Sequence, residues 1–250
     1  MNGYLFDLDG TLYVGDAALP GAVEAIAGLV ERNVPRRYLT NTTRVSRREL
    51  ALRLGRMGFP IDAEEIFTAP RAAAAWLIDR QIRRIALYLP EATREDFAEF
   101  ESTGEAPEAI VVGDLEAEWS FSRLNEAFRQ LLDGAMLVAL QKNRYWRTPE
   151  GLALDAGPFV AALEYATRVE AVVVGKPSPH FFRLAAVSMG VAPEMVTVVG
   201  DDLEADVGGA QRAGMRGVLV RTGKFREEEL ERSEVRPDLV VGTLIEATAK

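Results

Sequence analysis

Tyr4-Leu5-Phe6-Asp7-Leu8-Asp9-Gly10-Thr11 decides how the rest of the chain is read. A short apolar run gives way to two acids two residues apart, then to glycine and threonine. In a strand, side chains i and i+2 face the same side. Asp7 and Asp9 are therefore expected to point together from the carboxyl edge of a sheet, where open α/β folds seat their ligands. Two carboxylates so close repel unless a cation lies between them or one takes a proton. Oxygen ligands of this kind suit Mg2+. Taken alone, the same residues also read as a strand ending in an acidic turn.

Outward from this segment, apolar β-rich runs alternate with helical patterns. Strands are expected at 4–9, 36–41, 85–89, 108–113, 136–142, 170–175, 196–200, 216–221 and 238–241. Helices are expected at 20–32, 47–57, 63–80, 94–102, 121–132, 157–168, 179–189 and 203–213. Such alternation predicts parallel βαβ units. The fold class is therefore α/β: a doubly wound parallel-sheet, Rossmann-like core with an inserted smaller α/β cap domain. The core is expected to take 1–80 and 175–250 and the cap 81–174, with chain crossings near 75–82 and 168–174. Local signals agree. Ser46-Arg47-Arg48-Glu49 reads as a capping box, and Ser178-Pro179 sets a capping hydroxyl before a proline at the first helical position. Gly190 and Gly214 fall where helix ends need a left-handed residue. Gly208-Gly209 inside a helix should cost about 1 kcal/mol each against alanine, which reads as close packing on the sheet.

The chain has 250 residues, 48% hydrophobic and 27% charged, ordinary for a globular protein. No apolar run approaches the ~20 residues that span a bilayer, so no membrane partner is expected. A basic segment followed by an apolar one is missing from the start of the sequence, so no secretory signal is read. Cysteine is absent, which excludes disulfides, thiolate metal sites and a cysteine nucleophile. A cytoplasmic location is the expectation. The net charge of −9 disfavours nucleic acid, whose affinity comes largely from phosphate neutralisation. A small anionic substrate stays open if positive charge is concentrated locally. Of 29 basic residues only Lys142, Lys176, Lys224 and Lys250 are lysine. A compact ammonium among guanidiniums is worth following.

Four segments share one pattern, an apolar strand followed by polar residues. They are Leu5–Thr11, Tyr38-Leu39-Thr40-Asn41-Thr42, Val173-Val174-Gly175-Lys176-Pro177, and Val198-Val199-Gly200-Asp201-Asp202 followed by Asp206. In a parallel sheet their tips converge on one crevice. Carboxylates, a hydroxyl, an amide and an ammonium gathered there would suit phosphoryl transfer.

In this order the four segments resemble the motifs of the haloacid dehalogenase-like hydrolase superfamily, over nearly the whole chain. Thr40-Asn41, the insertion after it and Gly175-Lys-Pro-Ser-Pro-His-Phe-Phe182 resemble its 4-nitrophenyl phosphatase-like subfamily with an α/β cap. Gly157-Pro-Phe, Leu163-Glu-Tyr-Ala166, Asp206-Val-Gly-Gly-Ala-Gln211 and Val220-Arg-Thr-Gly-Lys-Phe225 resemble a branch that implies inorganic pyrophosphate or phosphoamides as further substrates. The resemblance implies a Mg2+-dependent phosphoric monoester hydrolase. By it, Asp7 is the nucleophile that becomes an aspartyl-phosphate and Asp9 the general acid/base. Thr40 binds phosphate with Asn41 beside it, and Lys176 neutralises nucleophile and phosphoryl oxygens. Asp201 ligates Mg2+ with Asp7 and the backbone carbonyl of Asp9. Asp202 and Asp206 complete the acidic motif in supporting roles.

Asn143 and Arg144 follow a strand of the expected cap and are candidate substrate-specificity residues. Trp119, Phe121, Tyr145 and Trp146 are read mostly as cap core or interface. His180, the only histidine, is read as structural, and 226–232 as a solvated helical face. The sequence leaves room for a homodimer. Dehalogenation is disfavoured by Asp9, since that reaction has no leaving oxygen to protonate, and a mutase would need a second phosphate site. A catalytically silent metal- or phosphate-binding scaffold of the same fold is the alternative, though such a protein is expected to lose one of Asp7, Asp9, Lys176 or Asp201.

Overall fold

The structure, a computed structural model, describes residues 2–148 and 151–249. Strand Gly3–Asp7 lies inside a six-stranded sheet ordered Leu239–Val241, Arg216–Val220, Val196–Gly200, Gly3–Asp7, Arg36–Thr40, Ile66–Thr68. It runs parallel to both neighbours, with Phe6 opposite Val199 on one side and Asp7 opposite Leu39 on the other. The chain first builds outward through Arg36–Thr40, and later builds the opposite side from Val196–Gly200. The order therefore reverses between Gly3–Asp7 and Val196–Gly200, and a crevice at their carboxyl ends is the ligand position of a doubly wound sheet. Leu5, Phe6, Val198 and Val199 are buried, as parallel strands covered on both faces require.

The chain divides into two units. One comprises Met1–Thr40, Arg47–Phe67 and Lys176–Lys250, the other Asn41–Ser46 and Thr68–Gly175. The second has its own five-stranded parallel sheet, ordered Val172–Val173, Met136–Ala139, Ala109–Val112, Arg84–Tyr88, Glu101–Ser102. Alternate strand residues feed two cores. Ile85, Val111 and Val138 pack with Ala73, Trp76, Leu77 and Phe97. Ile110, Val112 and Leu137 pack with Ala127, Leu131, Val160 and Leu163. The three tryptophans of the chain, Trp76, Trp119 and Trp146, all belong to this unit. Trp119 is stacked between Tyr88 and Phe159, at 5.8 and 4.9 Å between ring centroids. Phe121 and Tyr145 are exposed.

Several elements differ from the sequence reading. The expected helix 63–80 is three elements: a 3-10 turn Ala63–Glu65, strand Ile66–Thr68 and helix Ala69–Asp79. A capping box between Asp62 and Glu65 closes the turn, and Thr68 accepts from the Arg71 N–H with proline in the first helical turn. These start signals split what looks like one apolar period. That helix packs in the second unit, ahead of the 75–82 crossing drawn from sequence. The expected helix 94–102 is a 3-10 segment Glu91–Phe97 and a short strand. The expected helix 203–213 is a π-helical stretch, Leu203–Gly208, running into helix Gly209–Arg212. Two hairpins, Tyr13–Val14 with Ala17–Ala18 and Tyr145–Thr148 with Gly151–Leu154, have no counterpart in the reading.

The expected strand 170–175 is also reassigned. Val172 and Val173 pair with Val138 and Ala139 of the second sheet, so the third motif does not end a core strand. Gly190 and Gly214 have φ of +66° and +84°, as expected. Ser178 makes no side-chain cap, although Pro179 does open its helix. Gly209 packs closely, but a Cβ there would strike Phe182 of helix Pro179–Val187 and the Pro177 carbonyl rather than the sheet. No helix among the described residues is long and apolar enough to cross a membrane.

Candidate active site

Strand Gly3–Asp7 ends at Asp7, so Asp7 and Asp9 are not alternate residues of one strand. Asp7 is buried at the strand tip, while Asp9 is exposed in the turn beyond it, bridged through its backbone to Tyr13. Thr40 ends the adjoining strand, one residue past the partner of Asp7. Asp201 and Asp202 follow the strand on the other side. Lys176 comes from the connection into helix Pro179–Val187 rather than from a core strand. Its Nζ donates to Asp7 Oδ1 at 2.5 Å and to Asp206 Oδ1 at 2.7 Å. Asp206 reaches inward from the π-helical stretch, is fully buried, and its Oδ2 accepts from the Asp202 N–H at 3.2 Å. Asp7, Lys176, Asp201 and Asp206 thus meet in one buried cluster.

Three residues given no role in the sequence reading brace the cluster from outside it. Thr11 Oγ1 lies 3.3 Å from Asp7 Oδ2 and 3.5 Å from Asp201 Oδ1, on the side of Asp7 that Lys176 does not hold. Thr222 Oγ1 donates to the Gly10 carbonyl at 2.5 Å. The Lys224 N–H donates to Asp201 Oδ2 at 2.6 Å, and Lys224 Nζ to Asp202 Oδ2 at 3.2 Å. A signal for Lys224 was present: it is one of four lysines and lies within Val220–Phe225. Asn41, Asn143 and Arg144 belong to the second unit. Asn143 and Arg144 are exposed there, in the connection between strand Met136–Ala139 and the Tyr145–Thr148 hairpin.

Burial governs the electrostatics. It raises the Asp7 carboxyl, Lys176 pulls it back, and the Asp201 charge pushes it further up. Burial also raises Asp201 against the pull of the Lys224 N–H. Asp206 is pushed up to about 6 by burial, in spite of Lys176. Burial works against the charge on Lys176, but Asp206 and Asp7 outweigh it and keep the ammonium charged. At Asp202 burial works upward, and the Lys224 ammonium with the Ala205 N–H outweighs it and lowers the carboxyl.

Asp7, Asp201 and Asp206 each offer an oxygen, all within 4.8 Å of one another. Lys176 is the ammonium that bonds this cluster, so three acids meet one cation. A hard divalent ion with oxygen ligands fits both the surplus negative charge and the donor type. The glycines alongside agree. A Cβ on Gly10 or Gly223 would run into the Asp201 carboxylate, and both have positive φ, +90° and +53°. Small residues there keep this carboxylate where its neighbours hold it.

Residues 4–103 match a family model described as haloacid dehalogenase-like hydrolase, and 173–247 match one described as HAD-hydrolase-like. Haloacid dehalogenase-like hydrolase domain-containing protein 2 of Homo sapiens is 44% identical over 239 residues, spanning 96% of this chain and 91% of that protein. Phospholysine phosphohistidine inorganic pyrophosphate phosphatase of Homo sapiens is 40% identical over 253 residues, spanning 99% and 93%. Among solved structures, 4-nitrophenylphosphatase from Thermotoga maritima matches with a TM-score of 0.91 at 29% identity, over 99% of this chain and 96% of that one.

Proposed function

The chain belongs to the haloacid dehalogenase-like hydrolases, and on that premise we propose that it is a Mg2+-dependent phosphatase acting on small phosphorylated compounds through a covalent intermediate on Asp7. The observation that carries this reading is the buried ammonium of Lys176 held between Asp7 and Asp206, with Asp201 in the same cluster.

Lys176 fixes Asp7 Oδ1, and the carboxylate attacks phosphorus. The new Asp7 O–P bond forms as the bond from phosphorus to the leaving oxygen breaks. Asp9, exposed and free of the strand, gives its proton to that oxygen. Asp9, now a carboxylate, takes a proton from water, whose oxygen attacks phosphorus and releases phosphate with Asp7 restored. Thr40 and Lys176 bind the phosphoryl oxygens. A Mg2+ held by Asp7, Asp201 and the Asp9 carbonyl would neutralise phosphoryl charge. The second unit serves as the cap, with Asn41, Asn143 and Arg144 as candidate substrate contacts. The names of the relatives make phosphoamides, inorganic pyrophosphate and aryl phosphates the first substrates to test. The absence of cysteine fits a cytoplasmic enzyme, and a homodimer is part of the proposal still to be measured.

Asp7→Asn is expected to abolish Mg2+-dependent turnover of 4-nitrophenyl phosphate while leaving the circular dichroism spectrum unchanged. Retained turnover sinks the mechanism. A wild-type protein that binds a phosphate analogue with Mg2+ but releases no product would favour the silent scaffold instead.

A further inference from the structure

The segment Thr222-Gly223-Lys224 touches both the Asp7 turn and Asp201, the two sides of the carboxylate cluster, from one short stretch of chain. It follows strand Arg216–Val220, which lies next to Val196–Gly200. Thr222 Oγ1 donates to the carbonyl of Gly10, in the turn that leaves Asp7. The next residue but one donates its backbone N–H to Asp201 Oδ2. Between them Gly223 lies so close that a Cβ would meet the Asp201 carboxylate and, at 2.6 Å, the Gly10 α-carbon.

We infer that Thr222, Gly223 and Lys224 form a positioning strap that sets the spacing between Asp7 and Asp201, and thereby the affinity of the cluster for a divalent cation. The inference rests on the proposed metal-dependent reading of the site. The strap residues touch no reacting atom. They act through the Gly10 carbonyl, which fixes the turn that leaves Asp7, and through Asp201 Oδ2, which fixes one carboxylate orientation and leaves Oδ1 toward Thr11. Two ligands held at the right separation before the ion arrives lose less freedom on binding it, which is how preorganisation raises affinity. One hydrogen bond lost from such a frame corresponds to roughly a three- to tenfold change in an equilibrium constant.

The test is calorimetric titration of substrate-free protein with Mg2+, alongside turnover of 4-nitrophenyl phosphate. Thr222→Val keeps the shape and removes the hydroxyl. It is expected to weaken Mg2+ binding by roughly three- to tenfold and to raise the Mg2+ needed for half-maximal rate by the same factor. Its kcat at saturating Mg2+ should stay within about twofold, because the reacting groups are intact. Thr222→Ser, which keeps the donor, should restore wild-type affinity. Gly223→Ala should weaken Mg2+ binding more than Thr222→Val, since its Cβ meets the Asp201 carboxylate itself. If Thr222→Val does not accumulate as folded protein, Thr222→Ala carries the same comparison. Wild-type Mg2+ affinity in the hydroxyl-deleted variant overturns the strap, even if its melting temperature falls. A wild-type enzyme that neither binds Mg2+ nor needs it for turnover overturns strap and metal-dependent phosphatase together, whereas an active, Mg2+-binding wild type with an unaltered Thr222→Val overturns the strap alone.

Discussion

Lys176 divides its ammonium between two acids, and the one farther from the proposed reaction has the clearer thermodynamic signature. Asp206 is fully buried and its carboxyl is pushed up to about 6, against 3.8 for the free side chain. From about pH 4 to about pH 6 the folded, metal-free protein therefore holds a proton here that the unfolded chain has released. The sign follows from linkage: stability from this group falls as pH rises through that window and is level above it. Two pKa units correspond to on the order of 3 kcal/mol. Asp206→Asn is expected to remove this fall, seen as a flatter pH dependence of the urea midpoint in chelator-treated protein. Midpoint curves that stay parallel would contradict the assignment. The same variant takes the negative charge off one acceptor that aims Lys176, and where the ammonium shifts, a displacement of about 1 Å costs on the order of a hundredfold in kcat. The sequence motifs point to Asp7, Lys176 and Asp201, because each follows an apolar run, with glycine directly before Lys176 and Asp201 and Asp9-Gly10 just beyond Asp7. The grip of Asp206 on Lys176 was not legible, since it depends on a π-helical turn. Nor was the Thr222 bond to Gly10, which joins positions 212 residues apart: no local spacing encodes such a contact.

The hairpin after Asp9 is held by one side chain of a neighbouring helix. Arg53, in helix Arg47–Arg56, bonds the Gly15 carbonyl at 2.7 Å and Asp16 at 3.0 Å, and its guanidinium lies 5.1 Å from the Tyr13 ring centre. The Tyr13 carbonyl in turn accepts the Gly10 N–H at 2.7 Å. Arg53→Met is expected to speed amide hydrogen exchange across 13–18 and to lower kcat several-fold, because Asp9 sits at the base of this hairpin. Exchange unchanged from wild type would show that the hairpin holds itself. Stability should shift by less than about 1 kcal/mol, since the ion pair is exposed. Legibility at this scale followed the length of the apolar run. Gly3–Asp7 and Val196–Gly200 were read nearly in full, because strands buried on both faces are continuously apolar. Ile66–Thr68 reads as part of a helix because its two apolar residues stand directly before Ala69–Asp79 with no glycine between them. Val172–Val173 leads into the third motif, whose tip is expected to meet the core tips, but pairing, which no single segment announces, places the strand in the second sheet.

Alternation of strands and helices is enough to anticipate parallel sheets in an α/β fold. The chain is long and acidic, with a net charge of −9, so a cation bound inside the acidic cluster relieves repulsion in the folded state that the extended chain does not feel. A ligand that binds only the native state stabilises it by mass action. At about a hundredfold excess over its dissociation constant, Mg2+ should add roughly 2.7 kcal/mol and raise the melting temperature. Asp201→Asn should lose most of that gain, and differential scanning calorimetry with and without the ion measures it; an equal gain in both proteins would place the binding elsewhere. The distribution of indole rings adds a practical corollary. Trp76, Trp119 and Trp146 all lie in the second unit and none in the first. Intrinsic fluorescence excited at the red edge of protein absorption is then a private optical channel for one half of the molecule. If its unfolding transition parts from that seen by circular dichroism, the two units melt separately, and the emission tells which of them went first.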